Sequence, residues 1–260
     1  MIERTQEGLY CRAADAWVDP WRPVPRALIT HAHADHARPG CGEYWAVASS
    51  EGVLRQRLGQ DITLHPVQYG EEHWLGQCRV SFHSAGHVLG SAQIRLEVDG
   101  EVWVVSGDYK RDADPSCEPF EPVRCDVLIT EATFGLPIYR WQTGAEVAEE
   151  IRAWWQGDRQ RPSLLFCYAF GKAQRLMAEL NAIGVDDEVL LHGAVETVTR
   201  HYRAAAVPMT PSRPVSDLPR SDNLAGRLVL APPSAHRSSW MRRFRSPQTG
   251  FASGWMAVRG

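Results

Sequence analysis

No apolar run in the sequence approaches the roughly 20 residues that a bilayer-crossing helix needs. The first residues, Met1 to Glu7, are polar and acidic, unlike a secretory signal. Together these predict a cytoplasmic protein with no membrane partner. The six cysteines, at 11, 41, 78, 117, 125 and 167, form no Cys-x-x-Cys pair. That spacing argues against a zinc knuckle or a disulfide frame and predicts free thiols in a reducing compartment. There is no internal repeat and no low-complexity tract, which argues against solenoids and disordered tails. Lysine is absent from residues 200–260, and carboxylates there are limited to Asp217 and Asp222, against ten arginines. Residues 1–199 run the other way, with 18 Lys+Arg and 29 Asp+Glu. The net charge of −3 therefore hides an acidic body and an arginine-rich end whose guanidinium forks suit phosphate. A length of 260 residues and 44% hydrophobic content allow one large or two moderate packed domains.

Along the first half, short β segments alternate with turns. Strands are predicted at 16–18, 26–30, 78–83 and 91–98, the last running into Asp99-Gly100, a strong hairpin signal before Val102–Val105. Residues 53–58 read as a short helix, and Cys125 to Thr130 as a buried strand. Near residue 140 the pattern changes. Thr143 with Glu146 makes a capping box ahead of a helical stripe of Val147, Ile151, Trp154 and Trp155. Strands at 163–168, 189–191 and 228–230 then alternate with helices at 171–182 and 194–205, and Pro208 to Pro219 reads as a loop. Alternating strands and helices imply a parallel α/β layer distinct from the first half.

The densest chemistry lies in Thr30-His31-Ala32-His33-Ala34-Asp35-His36, directly after the apolar run Ala27-Leu28-Ile29. Alternate residues of an extended segment point the same way, so His31 and His33 can face one point. Asp35 and His36 can serve a second point if the chain turns there. Imidazole with carboxylate is a ligand set for zinc or a similar divalent ion. Three further groups sit at strand ends: Asp19, His87 in a loop flanked by Gly86 and Gly90, and Asp108 in Ser106-Gly107-Asp108-Tyr109-Lys110. His65, His73 and His83 read as surface or hydrogen-bonded side chains, and His192 and His236 are not expected to be ligands.

Taken in the order Asp19, histidine-rich loop, His87, Asp108, these groups resemble the metallo-β-lactamase superfamily. The resemblance implies one metal on His31, His33 and His87, and a second on Asp35 and His36, with Asp108 bridging. The cofactors would be two divalent ions, zinc or manganese, activating a water for phosphodiester hydrolysis with Asp35 and Asp108 at its centre, and Asp19 would orient the histidine loop from behind. The stretch Ile129-Thr130-Glu131-Ala132-Thr133-Phe134-Gly135 resembles a motif of the β-CASP nucleases, which makes Glu131 a catalytic acid. Tyr168-Ala169-Phe170-Gly171-Lys172-Ala173-Gln174 resembles the way into their inserted domain, with Lys172 as a phosphate contact. More narrowly, stretches around Asp19–Pro23, Ser106–Lys110, Cys117–Cys125, Phe134–Trp141 and Phe251–Met256 resemble bacterial ligase-associated DNA exonucleases, and place Lys110 and Arg140 among nucleic-acid contacts. The implied fold is α/β: a metallo-β-lactamase αββα sandwich over residues 1–138, incomplete at its C-terminal end, and an inserted β-CASP-like α/β domain over 139–260. The implied role is DNA repair beside a DNA ligase and a helicase. Family members continue into a Ser-Asp-His-Ala-Asp segment and a Thr-His-Gly segment. This chain is accordingly expected to be a fragment whose second metal set is one ligand short. The rival readings are an RNA-processing nuclease of the same superfamily, a small thioester or lactam hydrolase, and a nucleic-acid-binding remnant without catalysis.

Overall fold

The computed structural model describes residues 1–136 and 138–254. The chain divides into two compact units, Met1–Gly135 and Leu136–Gly260, against a sequence-predicted boundary at 138. The first unit holds two sheets. One runs β1 (Ile2–Arg4), β2 (Leu9–Cys11), β3 (Ala16–Val18), β4 (Arg26–Leu28), β5 (Glu43–Val47) and β6 (Leu64–Val67), in that order. Its first three strands are antiparallel and the rest are parallel. The other sheet is built from β7 (His73–Leu75), β8 (Cys78–Ser84), β9 (Ala92–Val98), β10 (Glu101–Val105) and β11 (Val127–Ile129), in the order β11-β10-β9-β8-β7. The Asp99-Gly100 turn joins β9 to β10 as the sequence predicts.

Period-two alternation turns one face of each sheet inward. Cys11, Ala16, Val18 and Leu28 from the first sheet meet Val80, Phe82, Ile94 and Leu96 from the second in one core. Helix α1 (Glu51–Leu58) buries Val53 and Leu54. It is the one α-helix among the described residues of this unit, so the unit is a mixed α/β arrangement of two sheets and one helix. The segment predicted as a buried strand at 125–130 is corrected. β11 is a three-residue edge strand parallel to β10, and Leu128 is 54% exposed. Its apolar residues signalled β structure but not which side of the sheet would be covered.

The second unit is a five-stranded parallel sheet. Its strands are β12 (Ser163–Phe166), β13 (Val189–Leu191), β14 (Ser212–Pro214), β15 (Leu228–Ala231) and β16 (Gln248–Phe251), ordered β14-β13-β15-β12-β16. Three helices accompany it: α2 (Gly144–Gly157), α3 (Lys172–Ala182) and α4 (Gly193–Ala204). Ile151 and Trp155 of α2, with Leu176 and Met177 of α3, pack on Leu165, Leu191 and Leu230. The intervening residues Leu164, Phe166, Leu190 and Val229 face a second cluster with Val215, Ala235 and Phe244, which lie in or just after short 3-10 turns. The Thr143–Glu146 capping box closes reciprocally at the start of α2. The stretch predicted as a loop at 208–219 contains the edge strand β14, where Pro214 ends the pairing, and β16 carried no signal because Gln-Thr-Gly-Phe is only half covered. None of the described helices is long and apolar enough to cross a membrane. All six cysteines are free.

Phe82 is fully buried between the sheets and pairs with Ile94 across β8 and β9. Phe82→Ala is expected to lower unfolding free energy by about 3–5 kcal/mol, read from urea denaturation. A loss below about 1 kcal/mol would show that the two sheets do not share this core.

Candidate metal centre

Strand β4 ends at Leu28, and the chain leaves the sheet through Ile29 and Thr30 into the histidine loop. Thr30 organises the loop. Its N–H donates to Asp19 Oδ1 at 2.8 Å and its hydroxyl to Asp19 Oδ2 at 2.5 Å. The carbonyl of Thr30 accepts from Ala92 N at 2.7 Å, which ties the loop to the second sheet. A hydroxyl has one proton, and that of Thr30 goes to Asp19. The 3.1 Å contact between Thr30 Oγ1 and His31 Nδ1 therefore has the imidazole N–H as donor. His31 Nε2 is left as a lone pair facing the site, the form a metal ligand needs.

The other groups arrive on loops from the second sheet. His87 N–H and Val88 N–H both donate to Ser91 Oγ, at 3.0 and 3.1 Å, which pins the turn carrying His87. Gly86 in that turn has φ +67, and a Cβ there would lie 2.4 Å from the Lys110 carbonyl. Gly107 precedes Asp108 with φ +56, and its Cβ would lie 2.5 Å from Thr30 Oγ1. Only glycine lets these loops approach so closely.

The result is one cluster. His31, His33, His87 and Asp108 offer ligand atoms all within 4.8 Å of one another and can hold a metal ion. His31 Nε2 and His33 Nδ1 are 2.9 Å apart, and His87 Nε2 lies 3.4 Å from His33 Nδ1. Asp108 Oδ2 lies 3.9 Å from His31 Nε2 and 3.6 Å from His87 Nε2. A tetrahedral shell with bonds of ~2.0–2.1 Å separates its ligands by roughly 3.3 Å, so these spacings fit. The other carboxylate oxygen, Asp108 Oδ1, lies 3.4 Å from His36 Nε2. Asp108 thus faces two sets of groups at once. His36 Nδ1 is 2.7 Å from Asp19 Oδ2, and its Nε2 is 3.7 Å from Asp35 Oδ2, on a side chain 75% exposed.

Electrostatics separate the two sides. Burial, then the neighbouring histidines, push His31 well below the ordinary imidazole range. Burial and His33 lower His87 to about 4. Both rings are neutral at pH 7, as ligands must be. Burial also opposes charge on His36, but hydrogen bonds to Asp108 and Asp19 outweigh it and raise its pKa to about 10. Asp108 is desolvated, yet His36 and the other rings hold its carboxyl below the usual range.

The remaining expected site residues are not among the four clustered ligand groups, and each has its own local partners. Glu131 follows β11, and its Oε2 accepts from Thr133 N at 2.7 Å. Lys110 is turned inward, with Nζ donating to Ala113 O at 3.1 Å and 3.7 Å from Asp114. Arg140 is exposed, and Lys172 opens α3. His192 caps α4 by accepting from Ala194 N at 3.0 Å. His236 packs on Phe166 and Phe251. His65, His73 and His83 lie 3.0, 3.5 and 2.9 Å from Glu43, Glu71 and Glu121.

One residue escaped sequence reasoning. Arg57, near the end of α1, donates from Nη1 to the carbonyl of Ala32, between the two ligand histidines. It lies 25 residues from its partner, so no local pattern announces it.

No family model matches the chain. It is 32% identical over 254 residues to a protein named "Probable DNA ligase" from Opitutus terrae, covering 95% of this chain and 24% of that protein. It is 26% identical over 222 residues to an endoribonuclease from Mycosarcoma maydis, covering 71% of this chain and 25% of the relative. A ribonuclease from Thermus thermophilus is 32% identical over 144 residues, 45% of this chain and 33% of its own length. The chain therefore spans a quarter to a third of these relatives. Among solved structures, a protein of unknown function from Enterococcus faecalis superposes with a TM-score of 0.57 at 9% identity, over 88% of this chain and 69% of that one. That likeness is one of fold.

Asp19→Asn is expected to weaken zinc binding about 10–100-fold by calorimetry, because it removes the acceptor that orients His31 through Thr30 and His36 directly. Unchanged affinity would show that the loop holds itself. A second expectation concerns the metal-free protein. Lowered pKa values at His31 and His87 remove stability as pH falls below about 6.5, toward 4 for His87. The raised value at His36 gives stability that is complete below about 6.5 and is lost as pH rises toward 10. In chelator, Tm should peak near neutrality and fall on both sides, with His87→Gln flattening the acid limb. A flat profile would contradict these assignments.

Proposed function

We propose that the chain is the core of a metal-dependent phosphodiesterase acting on nucleic acid, with a metallo-β-lactamase-like first unit and a β-CASP-like second unit. The observation that carries this reading is the convergence of His31, His33, His87 and Asp108, with Asp108 shared toward His36. Nuclease names among the relatives support it. When bound, divalent ions supply Lewis acidity and an activated water, and a pair would clamp both oxygens of an in-line displacement. The chain's own groups do the rest. His31, His33 and His87 would hold the first site, His31 and His87 as neutral rings. Asp35, His36 and Asp108 would hold the second, with Asp108 and Asp35 both beside His36. Asp19 fixes the loop from behind. Glu131 is the carboxylate assigned to proton handling. Exposed Arg140 and Lys172 at the start of α3 are assigned to substrate phosphates, with Lys110 bracing the Asp108 loop through Ala113 and Asp114.

DNA is the proposed substrate and exonucleolytic repair beside a ligase the proposed role, because the relative matched over 95% of the chain carries a ligase name. A second reading, RNA processing, is favoured by the endoribonuclease similarity. The test is cleavage of end-labelled DNA and RNA of one sequence, with zinc or manganese titrated. Wild type should cut DNA faster, and Asp35→Asn and Asp108→Asn should each lose about 100-fold or more. RNA cleavage alone would favour the second reading. Equal cleavage by the variants would move the chemistry away from this loop.

A further inference from the structure

The segment 234–245, Ser-Ala-His-Arg-Ser-Ser-Trp-Met-Arg-Arg-Phe-Arg, covers one face of the parallel sheet in the second unit. Ala235 and Phe244 are buried against Leu164, Phe166 and Val229, and Trp240 and Met241 pack beside them. Arg243 anchors the segment by donating to the carbonyls of Leu218 at 2.7 Å and Pro219 at 3.2 Å. The other three arginines have no such task. Arg237, Arg242 and Arg245 are exposed and make no ion pair and no side-chain hydrogen bond among the described residues. Several other arginines of this unit face carboxylates, unlike exposed Arg140 and Arg220: Arg161 faces Asp158, Arg203 faces Glu196, and Arg213 and Arg227 share Glu188. Residues 233–254 contain no Asp or Glu at all. The nearest acids in sequence, Asp222 and Asp217, lie in the loop that Arg243 holds and are outnumbered. Three exposed guanidinium groups thus fall within nine residues with no carboxylate among them, a local positive charge that suits an anion. Rings occur among the same residues: Phe251, 41% exposed, packs on His236 at 5.0 Å, and half-buried Trp240 packs on buried Phe244 at 4.7 Å. Planar forks beside rings suit phosphates carrying bases better than an acidic peptide.

We propose that Arg237, Arg242 and Arg245, none of them a residue of the metal centre, form a nucleic-acid backbone-binding surface on the second unit. The proposal rests on the nuclease reading for the identity of the polyanion.

The test is binding of a fluorescein-labelled single-stranded DNA oligonucleotide by anisotropy across a salt series, with the full chain. Each lost phosphate contact should reduce the slope of log K against log salt by ~0.7. Arg237→Gln/Arg242→Gln/Arg245→Gln should therefore lower the slope by about 2 and the affinity at least about tenfold at 0.1 M salt. The triple lysine variant, which keeps the charge, should keep most of the slope. Hydrolysis of bis(p-nitrophenyl) phosphate, which reports on the metal centre, should be unchanged by the glutamine variant. Failure of wild type to hydrolyse that ester would count against the nuclease reading while anisotropy still reports on the surface. An unaltered affinity and slope in the glutamine variant, or competition by polyglutamate equal to that by polyphosphate, would overturn the proposal.

Discussion

The carboxylate of Asp19 is the constraint on which the site depends. One oxygen takes the Thr30 N–H, and the other takes the Thr30 hydroxyl and the His36 ring. Asp19 itself sits at φ +43, a conformation few non-glycine residues adopt. That backbone strain is held by three hydrogen bonds to one side chain. Through Thr30 the same carboxylate sets which nitrogen of His31 carries the proton. Removing it would free the loop's direction and its proton placement together.

From this anchor the site divides by charge. His31 and His87 are stripped of water and stay neutral, while His36 is held between Asp19 and Asp108 and takes up a proton. In the absence of an ion, the proton on His36 balances the two carboxylates beside it. A cation arriving at that position would meet Asp108, Asp35 and a ring that must first give up its proton, so binding there depends on pH. His31 and His87, already neutral, need no such exchange. The chain's two candidate positions thus differ in what it costs to fill them.

Much of this was legible because it is local. His31, His33, Asp35 and His36 lie within six residues, and the strands feeding the loops announce themselves by alternation and by Asp99-Gly100. The capping box at Thr143 and Glu146 is equally local. The features that stayed hidden depend on tertiary packing. Arg57 reaches the loop from a helix 25 residues away. β11 looked buried by composition, but its place at a sheet edge leaves Leu128 in solvent. β14 was masked by prolines that its parallel pairing with β13 tolerates at an edge. The inward turn of Lys110 toward Asp114 is likewise invisible in a motif.

A metal centre at this loop would be one of nitrogen and oxygen ligands. The most direct measurement is titration of the metal-free protein with cobalt(II), followed by visible absorption. At least one equivalent should bind, with ligand-field bands of a nitrogen–oxygen site and no thiolate charge-transfer band, and the bands should be lost on His33→Ala. Absence of binding, or a strong thiolate band pointing to the cysteines instead, would contradict it.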